Sequence, residues 1–227
     1  MSNTIFLVGG GKGGVGKSLM SMALLDFLQL TGRQPFLVET DTSVPDVFKT
    51  YGEAVGGELV NLDEREGWMD LVNLVERSPE STFVINTGAR NQTGITNFGR
   101  TLSKALPALG RKLVLLWMID RKRESLELLS DFTEAIPEAA VHVVRNLYLG
   151  TEKKFELYNG SKMKSAIEAR GGRSLSLPEL ADRVTDSMNR GRLTIERAVG
   201  ELSLGDRMEL ERWRDECAEM LREVVHE

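Results

Sequence analysis

Near its start the chain runs Gly9-Gly10-Gly11-Lys12-Gly13-Gly14-Val15-Gly16-Lys17-Ser18, directly after the apolar stretch Ile5-Phe6-Leu7-Val8 and directly before a long apolar segment. Residues Gly11 to Ser18 match the P-loop pattern G-x-x-x-x-G-K-[ST], with a strand predicted before it and a helix after it. The glycines let backbone N–H groups turn onto phosphate oxygens, Lys17 can reach terminal phosphates, and the Ser18 hydroxyl can ligate Mg²⁺. The expected phosphate cradle is Gly11, Gly13, Gly14, Val15, Gly16, Lys17 and Ser18, followed by Leu19. The same glycines permit a second reading. Gly11-x-Gly13-x-x-Gly16 also fits a dinucleotide fingerprint, and Glu39 stands about where that fold keeps its ribose-binding acid. Lys17-Ser18 decides between the two: a pyrophosphate on a helix N-terminus needs neither an ammonium nor a metal-ligating hydroxyl, whereas a triphosphate with Mg²⁺ uses both.

The pattern after this loop alternates apolar runs with helical periodicity. Leu19 to Leu28 is apolar on most sides, which predicts a buried helix ending at Thr31-Gly32. Strands are expected at Pro35–Glu39, at Thr82–Ile85 leading into Asn86, at Lys112–Ile119 and at Val141–Val144, with a last short one at Ser174–Leu177. Lys112–Ile119 is the most continuous apolar run, as in a central strand buried on both faces. Helices are predicted at 68–76, 95–109, 125–136, 178–188, 193–202 and about 206–226, and residues 151–173 are polar and basic. Repeated β-α order predicts an α/β fold, a mostly parallel central sheet flanked by helices with ligands at the carboxyl ends of its strands. One domain over residues 1–227 is the simplest division, since no repeat, linker or low-complexity tract interrupts the chain.

Composition excludes several classes. With 41% hydrophobic and 28% charged residues among 227, disorder is not indicated. A net charge of −5 gives no overall attraction to DNA or anionic lipid, so such binding would need a local patch. The single cysteine, Cys217, permits no intrachain disulfide. No leader-like or membrane-spanning segment is read, so the expected location is the cytoplasm. His142 and His226 have no ligand spacing around them and read as a strand residue and a tail residue.

Lys12-Gly13-Gly14-Val15-Gly16-Lys17-Ser18 resembles the deviant Walker A motif of the ParA/MinD family of P-loop NTPases (the SIMIBI type), whose mark is a second lysine early in the loop. The resemblance implies an ATPase using ATP and Mg²⁺, and a homodimer in the ATP state in which Lys12 reaches the partner's phosphates as a cation supplied in trans. It implies further that Asp41 positions the attacking water and lies at the metal through water. Asn86 stands where the family ends a strand with an aspartate on a magnesium water, and Glu39 stands for the other aspartate of the family's pair. Asn86 lacks the charge, which predicts weaker Mg²⁺ binding and slow hydrolysis. Gly88 corresponds to a glycine whose N–H senses the terminal phosphate. Asn146 and Pro178 stand where the family reads adenine; each alone is equally well a strand-ending turn residue or a first-turn helix proline, but together, in this order, they favour adenine.

Among small family members the chain is most similar to TraL/StbC-type ATPases of conjugative plasmids, through the Asn86-centred segment and the pattern Leu193-Thr194-Ile195-Glu196-Arg197-Ala198. The resemblance implies a role in plasmid partition or conjugative transfer, through non-specific DNA and an activating or cargo protein, with nucleoid association if DNA is bound. The basic residues between Lys153 and Arg173, with Arg183, Arg190, Arg192 and Arg197, are the candidate DNA surface. A cluster-bridging reductase is excluded by the lone cysteine. A MinD-like membrane helix is disfavoured, because acidic residues outnumber arginines in 206–227; the apolar face there is expected to pack on the core or on a protein partner.

Overall fold

Apolar residues alternate along the strands in step with the pleat, so each central strand feeds two cores. In the computed structural model, which describes residues 4–225, seven strands form one sheet: β1 (Thr4–Gly9), β2 (Pro35–Glu39), β3 (Gly57–Leu59), β4 (Thr82–Asn86), β5 (Lys112–Ile119), β6 (Ala140–Asn146) and β7 (Ser174–Leu177). Their order is β3-β2-β4-β1-β5-β6-β7, with every pairing parallel. The chain passes to one side of β1 before β4 and to the other from β5 onward. That reversal opens a crevice at the carboxyl ends of the central strands.

One face carries α1 (Lys17–Leu30), α2 (Asp46–Val55), α9 (Asp182–Gly191), α10 (Ile195–Glu201) and α11 (Leu204–Arg222). Phe6, Val8, Leu37, Val84, Leu116 and Met118 meet these helices in one core. The other face carries α3 (Arg65–Arg77), α4 (Gln92–Phe98), α5 (Arg100–Leu109), α6 (Arg123–Ala135), α7 (Glu156–Asn159) and α8 (Lys162–Ala169), which pack on Ile5, Leu7, Val38, Phe83, Ile85 and Trp117. The parallel α/β fold predicted from the β-α order is thus the one formed, with α1 buried along most of its length.

Several boundaries differ from the sequence reading. The helix expected over 95–109 is two, α4 and α5, meeting at Gly99, where a Cβ would lie 3.0 Å from Ile136 and 2.5 Å from the Ile95 carbonyl. α2 and β3 were not expected; α2 mixes β-branched residues with Gly52, and β3 is a three-residue edge strand. The basic stretch 151–173 contains α7 and α8, and α9 begins at Asp182, so Pro178 lies in the loop before it rather than in its first turn. α11 starts at Leu204, two residues earlier than expected. It buries Trp213, Cys217, Met220 and Leu221, followed by Val224 and Val225, in the α1-side core, while Met208 remains 46% exposed. Its apolar face is therefore consumed by packing. Burial pushes the Cys217 thiol well above its usual range. His142 sits on β6, where its Nδ1 accepts from the Arg173 backbone N–H, whereas His226 lies outside the described residues. Among the described residues no helix is long and apolar enough to cross a membrane.

Candidate functional site

The glycine loop leaves β1 and enters α1 through backbone that side chains resist: Gly14 has φ +79° and Gly16 φ +102°. At Gly16 there is also no room, since a Cβ would lie 2.5 Å from Asn146 Nδ2. Gly16 caps α1 without a side-chain hydrogen bond, and the first turn holds no acidic residue. The leading N–H groups of a fourteen-residue helix and its positive dipole end are thus directed at the loop, which suits an anion. Lys17 Nζ donates to the carbonyls of Gly10 (3.2 Å) and Lys12 (2.7 Å), and burial lowers its pKa to about 8. Ser18 is exposed beside it. Lys12 turns the other way, to an ion pair with Glu124 in the first turn of α6, and hydrogen bonding to Glu124 raises its pKa. Gly11 packs on the same helix, against Leu128.

A cavity of about 470 Å³ opens over the loop. It is lined by Gly13, Gly14, Gly16, Lys17, Ser18, Leu19, Asp41 and Asn86, which the sequence reading placed in the site, and also by Met22, Asp46 and Thr87. Thr185 and Asn189, one turn apart on α9, close it from the far side. Gly11, Val15, Lys12, Asn146 and Pro178 do not line it. Val15 is buried beneath the loop. Asn146, the last residue of β6, donates from Nδ2 to the Val15 carbonyl (3.1 Å) and accepts at Oδ1 from the Tyr148 N–H (3.1 Å), so it braces the loop from behind. Pro178 borders a second cavity, of about 630 Å³, shared with Leu147, Thr151 and Arg212, and its carbonyl accepts from Trp213 Nε1 (2.8 Å).

Behind the cavity runs a buried polar ladder. Ser21 Oγ on α1 donates to Asn86 Oδ1 (2.8 Å), and Asn86 Nδ2 donates to both oxygens of Glu39 (3.0 Å each). Glu39 Oε1 accepts from the Asp41 N–H (3.0 Å). Burial pushes the Glu39 carboxyl up to about 7, against the pull of these N–H donors. Asp41 itself folds onto its own loop, its Oδ1 accepting from the N–H groups of Ser43 (3.2 Å) and Val44 (3.0 Å) and from Ser43 Oγ (2.7 Å). Burial works to raise its pKa, but these hydrogen bonds and the nearby Arg90 charge outweigh it and hold the carboxyl below its ordinary value. The Gly88 N–H is directed at Asn91 Oδ1 (2.7 Å) and Thr40 Oγ1 (3.0 Å), so it is already engaged within the loop.

Glycine-lined N–H groups, an ammonium, an exposed hydroxyl and a carboxylate around one cavity fit a polyphosphate with a hard cation. Among the described residues no group of three His, Cys, Asp or Glu side chains could hold a metal by itself. Of the candidate DNA-binding cations, Lys164, Arg173, Arg183 and Arg197 are paired with Glu168, Glu223, Asp206 and Glu201, while Lys153, Lys154, Lys162, Arg170, Arg190 and Arg192 are exposed.

Ser21, Thr185 and Asn189 were missed by sequence reading. Ser21 had a signal, a polar residue that, like Asp26, lies inside a largely apolar buried helix. Thr185 and Asn189 had none, because only the packing of α9 on α11 in the α1-side core brings them to the loop.

No protein-family model matches the chain. It is 53% identical to the protein MobD of Acidithiobacillus ferrooxidans over the whole of both chains, and 28% identical to the protein TraL of Escherichia coli over 88% of each. Its fold is similar to that of the cell division protein MinD of Aquifex aeolicus, with a TM-score of 0.58 at 14% identity over 98% of each chain.

Proposed function

The chain belongs to the family of MobD, is similar to TraL and has a MinD-like fold, and on that premise we propose that it is an ATP-dependent dimerising switch with slow hydrolysis. The observation that carries this reading is the joint presence of Lys17, Ser18, Asp41 and Asn86 around one cavity at the head of α1, with the second lysine, Lys12, beside it. In this reading Lys17 exchanges the carbonyls of Gly10 and Lys12 for the terminal phosphates of ATP. Ser18 would hold Mg²⁺, with Asp41 and Asn86 as further holders, through water. Mg²⁺ would supply neutralisation of phosphate charge there. Asp41, released from Ser43 and Val44, orients the attacking water, and Lys12, released from Glu124, crosses to the phosphates of a second copy.

In this reading adenine lies toward Asn146, which braces the loop, and Pro178, which borders the neighbouring cavity, although neither lines the cavity over the loop. The kinship with MobD and TraL supports service in conjugative DNA transfer or plasmid maintenance, and the motif resemblance extends that reading to the cytoplasm, a partner protein and non-specific DNA. The internal pairing of four candidate cations leaves Lys153, Lys154, Lys162, Arg170, Arg190 and Arg192 to carry any DNA surface.

A second reading, a nucleotide-dependent scaffold that does not hydrolyse, draws on Asn86, whose carboxamide is neutral and held from both ends. Phosphate release with and without DNA separates the two. Slow release abolished by Lys17→Ala supports the ATPase; ATP binding without release supports the scaffold; no ATP binding contradicts both.

A further inference from the structure

Glu39 and Asn86 are paired in register at the ends of adjacent strands β2 and β4. Both are buried, Glu39 completely. The Asn86 carboxamide has a fixed sense: its NH₂ must face the carboxylate, so its oxygen faces the Ser21 hydroxyl. The Glu39 carboxylate is met by N–H groups of Asn86 and Asp41. A buried acid surrounded by donors, with its neighbour reduced to an amide, is the arrangement two adjacent strand ends require if only one negative charge is to stand between them.

We propose that Glu39 carries the acidic charge of this site and that Asn86 is the clamp that seats it, an acid–amide pair whose two members could exchange strands between β2 and β4. The chain of contacts Ser21–Asn86–Glu39–Asp41 then ties α1, which begins in the phosphate loop, to the loop bearing Asp41. Glu39 is a positioning residue: it holds Asp41 by the backbone and places a negative charge behind the cation site without reaching the cavity, which it does not line. The extra methylene of glutamate over aspartate lets a carboxylate rooted on β2 reach Asn86 with both oxygens. The functional part of this inference rests on the Mg²⁺–ATP reading above; the exchange itself does not.

The hydrogen-bond senses make the exchange reversible on paper. In E39Q/N86D the amide NH₂ now on β2 would donate to the carboxylate now on β4, and Ser21 would still donate to that carboxylate. The amide oxygen on β2 would still accept from the Asp41 N–H. In N86D alone two carboxylates face each other in a buried place. The test uses the full chain as wild type, N86D, E39Q and E39Q/N86D, read by melting temperature without nucleotide and by the affinity of a fluorescent ATP analogue in Mg²⁺ and in EDTA. N86D should lower the melting temperature by roughly 5 °C or more, with most of it recovered in the double variant. The strengthening of analogue binding by Mg²⁺ should survive in the double variant and fall about tenfold in E39Q. Additive melting shifts, or an N86D variant as stable as wild type, would overturn the exchange. An E39Q variant with undiminished Mg²⁺ dependence would overturn the role of its charge. If wild type itself fails to bind the analogue, the ATP reading falls and takes the role of the charge with it, while the melting cycle still decides the exchange.

Discussion

Arg214 on α11 donates from Nε and Nη2 to the two carboxylate oxygens of Asp26 on α1, at 2.7 Å each, joining residues 188 apart in sequence. Asp26 is 3% exposed, and the pair is what a polar residue in an apolar helix requires. Asp26→Ala strands a guanidinium in the core surface and is expected to cost about 3 kcal/mol in denaturant unfolding. Adding Arg214→Met should return part of that loss, since the unpaired charge is then removed as well.

Glu39 makes stability depend on pH in an unusual sense. Its carboxyl is pushed from 4.5 to about 7 in the folded chain, so between those values the folded state holds a proton that the unfolded state has lost. The associated stability is fully present below the unfolded value and is lost as pH rises through about 7. In EDTA and without nucleotide, the melting temperature of the wild type should therefore fall from pH ~5 to ~7.5 relative to that of Glu39→Gln. A wild-type profile parallel to that of the variant would show that the buried carboxyl titrates at its ordinary value.

The Lys12–Glu124 pair keeps the loop lysine within its own chain. Both side chains are substantially solvent-accessible, so the contact is weak and sensitive to salt. Glu124→Ala should strengthen ATP-dependent self-association several-fold at low salt, measured by light scattering across a concentration series. The difference from wild type should shrink at high salt, where the pair is already screened.

Much of the fold could be read before the structure. β2 and β5 begin and end where their apolar runs do, because strands buried on both faces leave little choice of boundary. The phosphate loop was legible for a local reason, since its glycine and lysine spacing encodes its geometry within ten residues. Gly99 hid the division between α4 and α5, because its dihedrals stay helical and the tight space against Ile136 and the Ile95 carbonyl is not written in the local sequence. α2 and β3 were hidden by length and mixed propensity. Within the site, Asp41 and Asn86 were found through their positions after strands, and the structure puts both at the cavity. What Asn86 touches was not legible, since Ser21 and Glu39 are 65 and 47 residues away and only the register of β2 and β4 with the packing of α1 unites them. Asn146 and Pro178 show the converse: each stands where expected in the chain, yet its polar contacts go to the protein itself.

The central claim is that a triphosphate closes two copies of this chain over Lys12. Sedimentation velocity with Mg²⁺ and a non-hydrolysable ATP analogue, with ADP, and without nucleotide tests it most directly, for the wild type and for Lys12→Ala. Twice the protomer mass with the analogue alone, lost in Lys12→Ala, is the predicted result. The same mass with analogue and with ADP, or a Lys12→Ala variant that dimerises as the wild type does, would contradict it.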